Sequence, residues 1–389
     1  TSLQTNGYPT RSQYGVGWTM HMGRIVVPKA YEDRVCRQNA FVDATKDNPS
    51  LELPGGGREL LVQVDSNSND LVTKSNWKMS CANTGVKTVT SPDGTRYEMA
   101  HAEMYKSEPS WFTSKITDVH GNSISINYGT WSNGQSYIKD ISRSEEGGTV
   151  VEFTYSNSLL TEMSSSNQVI KYEYDQNKVP GFLEPAYNLL KVTRPDGKFW
   201  EYNYNGKYND PDPDDEIDED GLGSYSLNHV KLPNGAQVAY EYQFVKFYDG
   251  YEKKTTSISK KTVTGGDIEN GQWTYNFAPY SADIGLSDHG LLMDETTVTG
   301  PYQTKRYYHY GADQNAFENA IWHFKFSYIG LLAQEHTYSL AGQLLEKKYS
   351  SWGRRKISDE LFWSAGPDDG AWVEATYAPV LLGEYIPRD

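Results

Sequence analysis

Apolar and polar residues alternate along much of this chain in a recurring frame. Between positions 121 and 128, Ile124, Ile126 and Tyr128 are separated by polar residues, the two-residue period of a strand with one buried face. The frame returns at 148–155 (Val151, Phe153, Tyr155), 167–174 (Ile170, Tyr172, Tyr174), 197–204 (Trp200, Tyr202, Tyr204) and 235–242 (Val238, Tyr240, Tyr242). In each copy a Gly or Asn stands seven positions before the last tyrosine, and 270–277 is a looser sixth copy that ends in Phe277. Turn signals precede the strands: Pro92-Asp93-Gly94, His120-Gly121-Asn122, Pro195-Asp196-Gly197 and Pro233-Asn234-Gly235. There Pro presets φ and Gly accepts the left-handed conformation that follows. A short apolar step comes after each strand, as at Tyr137-Ile138, Leu159-Leu160, Leu189-Leu190, Leu227, Leu331-Leu332 and Leu344-Leu345.

The predicted unit is therefore a turn, a long strand ending in Tyr, a loop and a short second strand. The closing tyrosines at 128, 155, 174, 204 and 242 are unevenly spaced, so the strand core is fixed while the loops vary. Such units bury their apolar faces only by stacking on neighbours. The one helical candidate is 315–324.

Composition narrows the class. Tyrosine numbers 30 of 389 residues and Trp 10, a strand-favouring excess. A net charge of −15 argues against a nucleic-acid backbone as partner. No run of 18 apolar residues offers a membrane-spanning helix. The sequence opens at Thr1 rather than Met, which reads as a processed or excised piece. Cys36 and Cys81 stand 45 positions apart. A disulfide between them would close a long loop and stabilise by roughly 3–4 kcal/mol; paired and free thiols both stay open. Without a CxxC or Cys-His cluster, a metal or catalytic role for either is disfavoured.

The Tyr-x-Tyr-Asp/Asn strands, at Lys171-Tyr172-Glu173-Tyr174-Asp175, Glu201-Tyr202-Asn203-Tyr204-Asn205 and Tyr240-Glu241-Tyr242, each with a Leu-rich step, resemble the YD repeats of Rhs proteins. Residues 338–345 resemble a linker of that family. The opening Gly15-Val16-Gly17-Trp18 with Arg24-Ile25 is similar to the segment that begins the shell in Rhs proteins and in the B component of insecticidal Tc toxins. The resemblance covers roughly residues 15–349. It implies stacked hairpins forming a large curved sheet, or part of a hollow shell that encloses a toxic domain; teneurins are animal relatives that act in adhesion. The chain departs from the family in lacking the Asp-Pro-x-Gly core ending and a variable toxin tail, since Pro367-Asp368-Asp369-Gly370 is a poor match. It reads as a shell portion, a subunit of an assembled shell, or a relative without cargo.

Two features stand as candidate sites. The run at 209–221 holds eight acids and no base, within an insertion at 209–223. Its alternating Asp210, Asp212, Asp214, Glu216, Asp218 and Asp220 fit the oxygen-rich chemistry of a Ca2+ loop, the one cofactor the sequence suggests. Position twelve from Glu216 is Leu227, so the EF-hand pattern fails, and the plainer reading is a solvated acidic loop. The second feature is the tyrosine row Tyr128, Tyr155, Tyr174, Tyr204 and Tyr242. The plain reading is a cross-strand ladder whose hydroxyls reach backbone or water; the functional one is a stacking face for sugar rings or an inner wall against a cargo chain. None of the eight histidines forms an HxH or HExxH pair, and no Gly-x-Ser-x-Gly elbow is present.

The expected architecture is all-β, with an N-terminal β segment (1–90), YD-type hairpin repeats (91–350) and a closing or capping segment (351–389) in which Trp352, Trp363 and Trp372 pack. The expected function is a non-catalytic wall that encloses or presents a toxin or effector cargo in bacterial competition or virulence, exported or held at the cell surface. Its partners would be that cargo or further shell chains. Two alternatives remain: an adhesin binding glycan or protein through the aromatic face, and a polysaccharide-acting enzyme.

Overall fold

The structure is a computed structural model that describes residues 12–27, 48–63, 69–80, 86–103, 109–132, 134–143, 148–176, 186–204, 226–246, 254–278, 293–311, 330–358 and 376–386. The protein is all-β. Every pairing between described strands is antiparallel, and most join strands adjacent in sequence. The helical candidate at 315–324 lies outside the described residues. The chain divides into two compact units. The first is built mainly from Thr19–Ile170, the second from Ser2–Trp18 with Lys171–Gly353.

The alternation seen in the sequence becomes the hairpin series. Ser123–Thr130 pairs with Ser136–Arg143, which pairs with Thr149–Ser156 and then Leu159–Ser165. In the second unit the series runs through Leu189–Thr193, Phe199–Tyr204, Leu227–Lys231, Gln237–Lys246 and Lys254–Thr264. One turn geometry recurs at 91–95, 118–122, 194–198, 232–236 and 339–343. The first residue's N–H donates to the fifth residue's carbonyl, and the fourth residue's N–H donates back to the first. In these five that fourth residue is Gly, with φ between 79° and 92°; the same pair of bonds closes 73–77 around Asn76, whose φ is 71°. This is the three-residue hairpin loop with a left-handed glycine, so the Pro-Asp/Asn-Gly signal specifies a hairpin rather than a general bend.

The first unit also has a second layer. Five short strands lie in the order Arg58–Leu60, Ser50–Glu52, Arg24–Val26, Ser110–Phe112, His101–Glu103. Register places Leu51, Ile25 and Trp111 side by side on one face, and Glu52, Arg24, Phe112 and His101 on the other. The apolar face packs on Leu71, Met79, Val89 and Met99 from the neighbouring hairpins, making the largest buried cluster described here. Lys87–Thr90 pairs with Arg96–Met99 in the hairpin layer beneath it.

In the second unit the strands carry two unlike faces. One presents Tyr172, Tyr202, Val230, Val238, Tyr240 and Val263. The other presents charges that match across strands: Lys191 to Glu173 at 3.2 Å and Lys260 to Glu241 at 2.7 Å. The last described strand, Thr376–Tyr385, stacks Tyr385 on Tyr349 and leaves Val380, Leu381 and Leu382 exposed.

Candidate functional site

The tyrosines that close the repeats form one recurring bond. Tyr128, Tyr155, Tyr174, Tyr204 and Tyr242 each sit where strand register slips by one residue. The extra residue falls on the following strand, directly after the apolar step: Ile138, Leu160, Leu189, Leu227 or Ile258 is the last partner before the slip. A slip of this kind interrupts ladder bonding and turns the strand, and a buried carbonyl beside it needs a donor. The next tyrosine supplies one. Tyr155 donates to the Ile138 carbonyl at 2.7 Å, Tyr204 to Leu189 at 2.8 Å, and Tyr242 to Leu227. Tyr128 makes the same reach to Thr113 at 2.7 Å. The tyrosine frame and the apolar step are thus two ends of a single hydrogen bond.

The exceptions follow the same chemistry. The loose copy ends in Phe277, which has no hydroxyl; its strand, Gly271–Ala278, keeps regular register on both sides. Further on, Trp352 takes the tyrosine's place, its indole N–H donating to the Leu332 carbonyl at 2.7 Å, again beside a slip. Tyr174 is the other exception: its hydroxyl reaches the Gln13 carbonyl at 3.4 Å.

Gln13 belongs to a strap, residues 12–18, that lies on the second unit's tyrosines. The strap is two consecutive turns, closed by Gly15 N–H to the Ser12 carbonyl at 3.2 Å and Trp18 N–H to the Gly15 carbonyl at 3.1 Å. Val16 N–H donates to the Tyr187 carbonyl at 2.9 Å. The Trp18 ring packs 5.0 Å from that of Tyr202, and its N–H donates to the Tyr204 hydroxyl at 2.8 Å. Gly15 has a φ of 102°, and a β-carbon there would stand 3.0 Å from the Leu189 nitrogen, so close approach requires glycine. Burial raises the phenol pKa along this row: Tyr174 and Tyr204 move far above the usual range, and Tyr202 and Tyr242 are pushed up to about 12. These phenols stay protonated and act as donors.

The first unit holds a packed polar layer on the other face of its five-stranded sheet. Glu52, 3% exposed, accepts from Arg24 Nε at 2.6 Å and lies 3.4 Å from His21 Nε2. Gly23 N–H donates to His21 Nδ1 at 3.1 Å, which fixes the neutral tautomer with its proton toward Glu52. Burial and then Arg24 lower the His21 pKa, with Glu52 opposing them. His101 stacks on Tyr128 with centroids 4.2 Å apart, and its Nε2 meets Ser136 Oγ at 2.7 Å. Ser136 N–H donates to Glu103 at 3.2 Å, and burial raises the Glu103 pKa. Each acid is already bonded to a neighbour, an arrangement that holds sheet to hairpin.

Asp210, Asp212, Asp214, Glu216, Asp218 and Asp220, together with Cys36, Cys81, Trp363 and Trp372, lie outside the described residues. Sequence reasoning singled out the strap's Gly15-Val16-Gly17-Trp18 as a family opening without linking it to the tyrosines. It missed the His21–Arg24–Glu52 layer altogether. The glycine pair beside a Trp was a usable signal for the strap; the polar layer had none, because Arg24 and Glu52 meet only through the register of two three-residue strands.

No family model matches the chain, and no curated protein does. Solved structures do resemble it at low similarity. The N-terminal domain of the effector protein SpvB from Salmonella typhimurium strain LT2 is 10% identical, over 68% of this chain and 92% of that one, with a TM-score of 0.25. The TcdB2-TccC3-Cdc42 structure is 10% identical over 96% of this chain, with a TM-score of 0.26. The Photorhabdus luminescens Tc holotoxin pore is 9% identical over 81% of this chain, with a TM-score of 0.19. The chain spans 20% of the length of each of the last two.

Proposed function

We propose that this chain is a non-catalytic wall segment of the YD-repeat type, which encloses or presents a toxin or effector polypeptide in bacterial competition or virulence. The observation that carries this reading is the tyrosine-to-carbonyl bond repeated from hairpin to hairpin. At Tyr155, Tyr204, Tyr242 and Trp352 it ties a module to the one before it, so the sheet extends by accretion and its integrity does not depend on any single site. The partners are a cargo polypeptide or further wall chains, and the setting is secreted or cell-surface. Such a wall acts sterically, keeping proteases from an unfolded chain.

The test is protection. A destabilised reporter fused after Asp389 is exposed to protease beside the same reporter free in solution. Cleavage slowed tenfold or more supports the wall reading; equal cleavage overturns it. A second reading is an adhesin that uses the half-exposed aromatic face of the second unit, favoured by Tyr240, Trp273 and Tyr275 on neighbouring strands. Saturable binding to a glycan array, lost on Trp273→Ala, would move the assignment there.

A further inference from the structure

Three consecutive Tyr-x-Tyr pairs in the second unit are built alike: Tyr172/Tyr174, Tyr202/Tyr204 and Tyr240/Tyr242. In each, register slips between the middle residue and the second tyrosine. The strap of residues 12–18 occupies the first two. It gives the Gln13 carbonyl to Tyr174, lays the Trp18 ring against Tyr202 and donates the Trp18 N–H to Tyr204. At the third pair Tyr242 donates its only hydroxyl proton to the Leu227 carbonyl, just as Tyr204 does to Leu189. Among the described residues, nothing donates to the Tyr242 hydroxyl and no ring packs on Tyr240. The floor beneath is apolar, with Val230, Val238 and Val263 buried and Tyr240 and Trp273 half-buried against them.

We propose that the Tyr240/Tyr242 pair is a second strap seat, which takes a turn-forming segment of a partner polypeptide that carries glycine before a tryptophan. The indole ring lies on Tyr240 and its N–H donates to the Tyr242 hydroxyl, repeating what Trp18 does one module earlier. The seat selects by chemistry. A phenol whose proton is committed to a carbonyl can only accept, so the occupant must offer a donor; a carboxylate or carbonyl at that point is rejected. A flat apolar ring with a single N–H at its rim meets both requirements. A sugar also offers a flat face and donors, but the equivalent position in this chain is filled by peptide. A strap seat works whether or not the sheet surrounds a cargo.

The test uses the full chain and a fluorescently tagged synthetic peptide of residues 12–18. Anisotropy titration should show saturable one-to-one binding. Replacing the peptide's tryptophan with naphthylalanine, which keeps the ring system and removes the N–H, should weaken binding about tenfold. Tyr242→Phe in the protein should do the same, while Tyr204→Phe leaves the affinity in place. The unmodified protein serves for the naphthylalanine comparison, so that arm holds even if Tyr242→Phe folds poorly. Four outcomes overturn the seat: no saturable binding, equal affinity for the naphthylalanine peptide, dependence on Tyr204 rather than Tyr242, or displacement of the peptide by micromolar glucan oligosaccharide.

Discussion

In the first unit two layers of short strands interlock, and Ile25, Leu51, Met79 and Val89 are fully buried between them. In the second, Tyr172, Tyr202 and Tyr240 stay half-buried, and cohesion comes from bonds handed from one hairpin to the next. The first arrangement concentrates stability in a shared core, where the loss of one side chain is felt by every strand around it. The second distributes stability along the chain, so that damage stays near the module that suffers it. One alternating sequence pattern supports both, and among the described residues the difference lies in whether a second layer of strands covers the apolar face.

The largest expected effect is in the shared core. Leu51→Ala should destabilise by roughly 2–5 kcal/mol in urea unfolding, with faster amide exchange throughout the five-stranded sheet and the hairpins beneath it. Exchange that rises only in Ser50–Glu52 would show that the layer is not cooperative.

Alkaline pH should weigh next on both units, more on the second: burial raises the Tyr97 pKa in the first, and Tyr174, Tyr202, Tyr204 and Tyr242 in the second are shifted furthest. A phenol whose pKa rises on folding contributes stability that is complete below its unfolded value of about 10. That stability is lost as pH climbs through the folded value, about 12 for Tyr202 and Tyr242. The thermal midpoint should therefore fall as pH rises from 10 to 12, and a Tyr202→Phe, Tyr242→Phe double variant should flatten the fall. Acid does not discriminate in this way. Burial lowers the pKa of His21 and His101 in the first unit and of His309 and His336 in the second. Both units then lose stability as pH falls below 6.5, and calorimetry that shows only one unit responding would contradict this.

A smaller effect tests how local the ladder is. Tyr204→Phe removes a hydroxyl that makes two hydrogen bonds, leaves the Trp18 N–H and the Leu189 carbonyl unpaired, and should cost about 1–3 kcal/mol. Faster exchange should be confined to the strap and to the strands Leu189–Thr193, Phe199–Tyr204 and Leu227–Lys231; spread into the first unit's core would erase the contrast drawn here. The smallest effect belongs to the charged face. Glu241 is 63% exposed and pairs with Lys260, so Glu241→Gln should change stability by about 0.2–1 kcal/mol, and less in high salt.

The sequence exposed the hairpins because their determinants are local. The two-residue period of 121–128, the Pro-Asp-Gly turns and the seven-residue offset before each tyrosine are all set within one strand and its turn. It also held both ends of the tyrosine-to-carbonyl bond, since Tyr204 and Leu189 each stood in a recognised repeat. The bond itself was hidden: a backbone carbonyl has no sequence signature, and the register slip that frees it arises only when strands pair. The first unit's second layer was hidden for a related reason. Arg24, Glu52 and Phe112 come from three-residue strands, too short for a period to show. Their company in one polar row is a product of register alone.

The direction of the tyrosine bond bears on how the chain is made. In every case the acceptor precedes the donor: Tyr155 reaches back 17 residues, Tyr204 and Tyr242 reach back 15, and Trp352 reaches back 20. A ribosome adds such a span in on the order of one to four seconds, so each new hairpin leaves the exit tunnel with its partner already waiting. Even Tyr174 and Tyr204, which call on Gln13 and Trp18, look to residues translated long before them. Assembly of these hairpins can therefore keep pace with translation, and wherever a tyrosine or Trp352 supplies the donor the carbonyl waits only for the next hairpin.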